Sequence, residues 1–194
     1  MKKKLFLIIT LVLTSLSFSK GGESEILVGI AAGIPSAHGA VNLSWAKKFN
    51  PSQDSYITVG GGIEAGGGVY VTPDLNVVPK IKLSARVIPY GFVNPYLKLE
   101  AGGSVSNQTI LHSGVSVGYI HTFGNDKSKL NNGRYGEFDF PGLSTRLTFG
   151  GTNKTSGVTG EFGVTAVFVK DGDNFAFSLP NSRISIQLGK KLDF

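Results

Sequence analysis

Hydrophobic and polar residues alternate along most of this chain. In Lys80-Ile81-Lys82-Leu83-Ser84-Ala85-Arg86-Val87 the even positions are polar and the odd ones apolar. Tyr96 to Ala101, Leu143 to Phe149, Val158 to Phe168 and Arg183 to Leu188 repeat the pattern. A period of two puts the two sets on opposite faces of a β-strand. Clusters of turn-forming residues separate the runs, among them Asn50-Pro51, Thr72-Pro73-Asp74, Asn94-Pro95, Gly124-Asn125-Asp126, Pro141-Gly142 and Asp171-Gly172-Asp173. The spacing predicts ten strands, near 26–34, 38–49, 54–66, 76–88, 95–106, 110–123, 133–140, 143–151, 157–169 and 183–194. No capped helix of ordinary length is visible after the N-terminal region.

That region reads differently. Met1 to Lys4 carries three lysines, and Leu5 to Leu13 is apolar throughout. Ser17 and Ser19 supply small residues for cleavage after Ser19. This is the pattern of a secretory signal peptide. Leu5 to Phe18 is too short to span a bilayer, which takes about 20 residues. The expected domains are therefore a cleaved signal over 1–19 and one β-domain over 20–194. Removing 19 of the 194 residues leaves 175, and the loss of three lysines lowers the formal charge from +6 to +3. With no basic cluster left, nucleic acid is not an expected partner.

Composition narrows the chemistry. There is no cysteine, so disulfides, thiolate metal sites and thiol nucleophiles are excluded. The three histidines, His38, His112 and His121, fall on separate segments. His112-Ser113 beside Glu100 invites a lipid-hydrolase triad, but alternation points His112 and Ser113 to opposite faces. Gly60 to Gly68 invites a phosphate loop, but neither the helix nor the Lys-Ser/Thr step follows it. Asn42-Leu43-Ser44, Asn107-Gln108-Thr109 and Asn153-Lys154-Thr155 match the glycosylation pattern through turn composition. The chain is not expected to be an enzyme or to need a cofactor or metal.

Full charges at mid-strand fall almost entirely on one face: Glu64, Lys80, Lys82, Arg86, Lys98, Glu100, Arg146, Glu161 and Lys191. The other face carries Ile81, Leu83, Val87, Leu97, Leu99, Val115, Val117, Leu147, Phe149, Phe162, Val164, Phe168, Ile184 and Ile186. The strands are also longer than the 5–6 residues usual in globular sheets. A backbone in lipid must satisfy every N–H and C=O, which leaves a closed barrel when no helix is present. The expected fold is thus all-β, a closed antiparallel transmembrane β-barrel of 8–10 strands. The charged set would form a network in the lumen and the apolar set would meet acyl chains. Trp45, Phe49, Tyr90, Phe92, Tyr119, Phe123 and Phe194 are expected in interfacial girdles. Both termini are placed on the periplasmic side, with 170–182 an external loop and 124–132 a periplasmic one. A soluble exported β-sandwich is the competing architecture.

Asn94 to Gly103, Ser113 to Tyr119 and the terminal Leu192-Asp193-Phe194 resemble the small outer-membrane β-barrels (OmpA-type and OmpW-type) of diderm bacteria. The resemblance is one of pattern over the mature chain. It implies a bacterial outer-membrane location, contact with membrane lipid and lipopolysaccharide, and a monomer. It also implies that Phe194, Leu192, Leu188 and Ile186 form a C-terminal signal read by the barrel-assembly machinery. Lys190 departs from this pattern, since it lies on the apolar face near the strand end, where it can snorkel. The expected role is structural or surface-interactive, with loops meeting surface ligands. The alternative is a narrow pore or small-solute transporter. Its nine named lumen charges, six basic and three acidic, would pass anions more readily.

Overall fold

A computed structural model describes residues 22–33, 36–50, 54–76, 82–124, 140–171, 174–178 and 182–193. The strands are β1 (Gly22–Gly33), β2 (Ser36–Phe49), β3 (Ser55–Asn76), β4 (Lys82–Ser104), β5 (Thr109–Gly124), β6 (Phe140–Asn153), β7 (Val158–Asp171), β8 (Asn174–Phe177) and β9 (Arg183–Asp193). Every pairing is antiparallel, and consecutive strands pair from β1 through β7. β9 then closes the sheet by pairing with both β7 and β1. β8 pairs with the end of β7 at Phe168↔Phe177, and β9 continues along β7 from Thr165↔Arg183. The two share one position, so the barrel has eight strands. Among the described residues there is no helix.

One of the two strands by which the count falls short of ten is accounted for by β4. The predicted strands 76–88 and 95–106 are one strand over Lys82–Ser104, because Asn94-Pro95 is not a turn. Pro95 has no N–H to give β5, and the ladder skips Asn94 and Pro95. The flanking pairs Val93↔His121 and Tyr96↔Gly118 nevertheless keep one register. The predicted strand 133–140 lies outside the described residues except for Phe140, which belongs to β6.

Short connections join β2 to β3, β4 to β5 and β6 to β7, and both ends of the described chain lie at this same rim (Glu23↔Asp193). The β4–β5 and β6–β7 connections have local chemistry for their turns. Ser106 Oγ accepts from Gln108 N–H at 3.2 Å and Thr109 N–H at 3.1 Å. Asn153 Oδ1 accepts from the N–H groups of Thr155 and Ser156, both at 3.0 Å, and Gly157 takes φ 69° where a side chain would be strained. The connections after β1, β3, β5 and β7 leave from the opposite rim. The 124–140 connection is therefore on the same side as 171–183, which corrects the sequence-based placement of the former at the turn rim. At this loop rim β3 and β4 outlast their neighbours. β2 stops at Ser36↔Tyr70 and β5 at Tyr90↔Gly124, while β3 and β4 stay paired to Asn76↔Lys82.

Candidate functional site: the barrel interior

Strict alternation sorts side chains into two environments. From β2 through β6 the even residues point inward; on β1, β7 and β9 the odd ones do. The outer face is apolar and uncovered: Ile30 is 72% exposed, Leu188 65% and Val87 59%, with Leu97, Leu147, Phe149 and Ile186 also exposed. Leu99, Val115, Val117, Phe162, Val164 and Ile184 are exposed too, as expected from the sequence. The inner face carries most of the buried polar and charged groups. This inverts the arrangement of a soluble barrel.

Near the turn rim the interior is organised around Glu100. Its Oε1 accepts from Lys191 Nζ at 2.6 Å and from Tyr56 O–H at 2.9 Å. Its Oε2 lies 2.7 Å from Lys98 Nζ and 3.4 Å from His112 Nδ1. Lys98 also reaches Glu161 Oε1 at 3.4 Å. His112 Nε2 meets Thr159 Oγ1 at 3.4 Å, and Thr152 donates to Thr159 at 3.0 Å. Potential ligand atoms of Glu100, His112 and Glu161 lie within 4.8 Å of one another. Two ammonium groups already neutralise the two carboxylates, with Lys98 between them. The donor set therefore suits an ion-pair network rather than a divalent cation.

The middle layer is organised around Glu64. Arg183 Nη2 donates to its Oε2 at 2.6 Å, and Arg146 Nη1 donates to Oε1 at 3.4 Å. Gln187 and Asn94 amides reach the same carboxylate at 3.4 and 3.5 Å. Arg146 Nη2 donates to Gln187 Oε1 at 2.9 Å and to Ser185 Oγ at 3.2 Å. Ser144 donates to Asn94 at 2.9 Å, and Tyr96 O–H donates to Asn42 at 2.6 Å. Glycines make the space for these long side chains. A β-carbon on Gly163 would fall 2.6 Å from Arg146 Nε, and one on Gly62 would fall 2.5 Å from Tyr96 Oη. The glycine-rich run 60–68 is thus a strand packed under interior side chains, with no phosphate-loop geometry.

Toward the loop rim an apolar layer follows. Phe92, Ile120, Val167 and Ala40 pack together, with Tyr90 and Val169 against them. Arg183 stacks over the Phe92 ring at 4.5 Å, and Tyr90 Oη is 2.9 Å from His38 Nδ1. This corrects the girdle assignment of Tyr90 and Phe92. Their even positions on β4 turn them inward, where they help fill the barrel. Trp45, Phe49, Tyr119 and Phe123 stand on the outer face.

Of the sequence-predicted lumen residues, Glu64 and Arg146 meet in the middle layer, and Lys98, Glu100, Glu161 and Lys191 meet near the turn rim. Lys80 lies outside the described residues, and for Lys82 and Arg86 only the backbone belongs to them. Arg183, Gln187, Asn94, Tyr56 and His112 are interior partners that the charge pattern alone did not single out; their parity on the strand marks them. Ser113 is exposed outside while His112 is buried inside, so the two cannot form a catalytic pair. On β9, Ile186, Leu188 and Leu192 share the outer face, and Phe194 lies outside the described residues. Neither a family model, nor a curated protein, nor a solved structure matches the chain.

Proposed function

We propose that this chain is an integral outer-membrane β-barrel protein of a diderm bacterium, non-catalytic, with a structural and surface-interaction role. The observation that carries this reading is the inverted polarity of a closed barrel, apolar outside and ion-paired within. In water, the exposed Ile30, Leu188, Val87 and their neighbours would form one continuous apolar surface, which soluble monomers rarely present. In a bilayer the same belt is buried, and the closed sheet leaves no edge unpaired. Trp45, Phe49, Tyr119 and Phe123 suit the headgroup level, and Lys47 and Lys190, outward near the turn rim, can snorkel to it.

Connections of four or five residues at one rim, against the long 125–139 and 172–182 connections at the other, favour the turn rim as periplasmic. The loop rim, with its projecting β3–β4 hairpin, would then present the surface-interacting segments. Phospholipid and lipopolysaccharide are the immediate partners. Phe194, Leu192, Leu188 and Ile186 would be the signal for the assembly machinery. The packed interior favours a plugged barrel over a pore.

Heat-modifiability tests the fold in its membrane. An unboiled sample from outer-membrane fractions should migrate differently from a boiled one and should need detergent for extraction. Recovery in the soluble fraction with no mobility change overturns the reading. Because the chain has no cysteine, single introduced thiols test orientation. Asp126→Cys in the β5–β6 connection should react with an impermeant maleimide on intact cells, and Asn107→Cys in the β4–β5 turn should not.

A further inference from the structure

Arg146, Thr165 and Arg183 stand on one rung of three adjacent strands. Arg146 on β6 is paired with Thr165 on β7, which is paired with Arg183 on β9. Directly opposed residues have Cα atoms only about 4.5–5.5 Å apart. All three side chains face inward, with relative exposures of 6%, 2% and 5%. Each holds a polar atom without a protein hydrogen-bond partner: Arg146 Nε, Thr165 Oγ1 and Arg183 Nε. Buried donors are nearly always satisfied, so unpartnered ones on three successive strands ask for a common acceptor.

Charge narrows what that acceptor is. Two guanidinium groups here share one carboxylate, Glu64. The other groups of this layer, Asn94, Ser144, Ser185 and Gln187, are neutral. The layer thus carries one surplus positive charge among the described residues. Around Glu100, two lysines pair with two glutamates among the described residues. A water molecule could accept from the rung but would leave the charge. A small monovalent anion accepts from the donors and removes it.

We infer that the Arg146–Thr165–Arg183 rung is a buried binding site for one small monovalent anion of the halide class. The inference rests on the closed barrel and its interior, not on the solvent outside it. The probe is bromide, with the full chain in detergent. Crystals grown in bromide should give an anomalous peak within hydrogen-bond distance of Arg146 Nε, Thr165 Oγ1 and Arg183 Nε. In denaturant unfolding at fixed ionic strength, replacing gluconate by bromide should stabilise the barrel saturably. Bromide at ten times its dissociation constant raises the folded-to-unfolded ratio about elevenfold. Thr165→Val removes one donor at similar volume and should weaken the bromide response. Glu64→Gln, which raises the local charge, should strengthen it even though the barrel itself is less stable. Equal unfolding midpoints in gluconate and bromide, or a rung occupied only by water in the bromide crystal, would overturn the inference.

Discussion

Replacing Leu97 by arginine separates lipid from water as the solvent of the outer face. Leu97 lies midway along the outward side of β4, between Val93 and Ala101, opposite Gly61 and Val117, and is 53% exposed. Half its side chain already lacks protein contacts, so truncation effects are small. If the outer face met water, the aliphatic stem of arginine would replace most of the leucine contact. The cost would then be about 0–1 kcal/mol, near the range for surface substitutions. In a bilayer the guanidinium sits near the hydrocarbon midplane, where arginine on a barrel's lipid face costs about 2–4 kcal/mol. With a urea slope of about 2 kcal/mol/M, the unfolding midpoint should fall by about 1–2 M. The assay is reversible urea unfolding of the protein in phosphatidylcholine vesicles, followed by the fluorescence of the single tryptophan, Trp45. Asn107→Arg in the exposed β4–β5 turn is the control and should lie within about 0.5 kcal/mol of the parent. Lys98, one residue along and facing inward, shows that this strand tolerates a cation on its other side. A Leu97→Arg midpoint equal to that of Asn107→Arg would refute the lipid assignment.

The other predictions concern the interior and assembly. Glu100→Gln leaves Lys191 and Lys98 without their closest carboxylate and should cost about 3–5 kcal/mol by urea unfolding; adding Lys191→Met should recover part of that loss. Phe92→Ala opens a cavity in the apolar layer and should cost about 3–5 kcal/mol by the same measurement. In planar bilayers the parent protein should give no steady current, because the interior side-chain networks block a path along the axis; a sustained conductance would reject the plugged barrel. Deleting Phe194 should lower the yield of assembled barrel in cells while leaving refolding into detergent unchanged, as read from the gel-mobility shift.

Alternation made the faces legible from sequence because it depends only on strand parity. Lys98, Glu100, Arg146 and Glu161 fall on one side of the sheet at any register that keeps the apolar residues outward. What alternation lacks is height along the barrel. Glu64 and Arg146 form one layer, and Glu100 and Glu161 another, only because the strands are paired as they are. Pro95 was misleading for a local reason. A proline beside asparagine is usual in turns, yet its missing N–H is tolerated within a ladder that closes on either side of it. Aromatic character suggests an interfacial girdle for Tyr90 and Phe92, whereas parity on a single long β4 turns both inward. The chain neighbour of His112 is Ser113, but its partners in the barrel, Glu100 and Thr159, come from other strands.

The division of labour between the two faces follows from what each can specify. A one-residue slip between strands would turn every outward leucine inward, so the apolar pattern alone forbids it. A two-residue slip keeps all faces correct and costs the outer belt almost nothing, since one aliphatic contact with solvent replaces another. Only the interior distinguishes that case. Glu64 and Arg183 are 119 residues apart in sequence, and their 2.6 Å contact exists at one register of the closing strand. Shifting β9 by two residues along β7 would put Ser185 where Arg183 stands opposite Thr165, leaving Glu64 to Arg146 alone and moving Lys191 away from Glu100. Each displaced charge would remain buried without its partner, at a cost of several kcal/mol. The ion pairs thus contribute to uniqueness of closure more than to net stability. The buried networks near the turn rim and in the middle layer accordingly both include a residue from β9, the strand that completes the barrel.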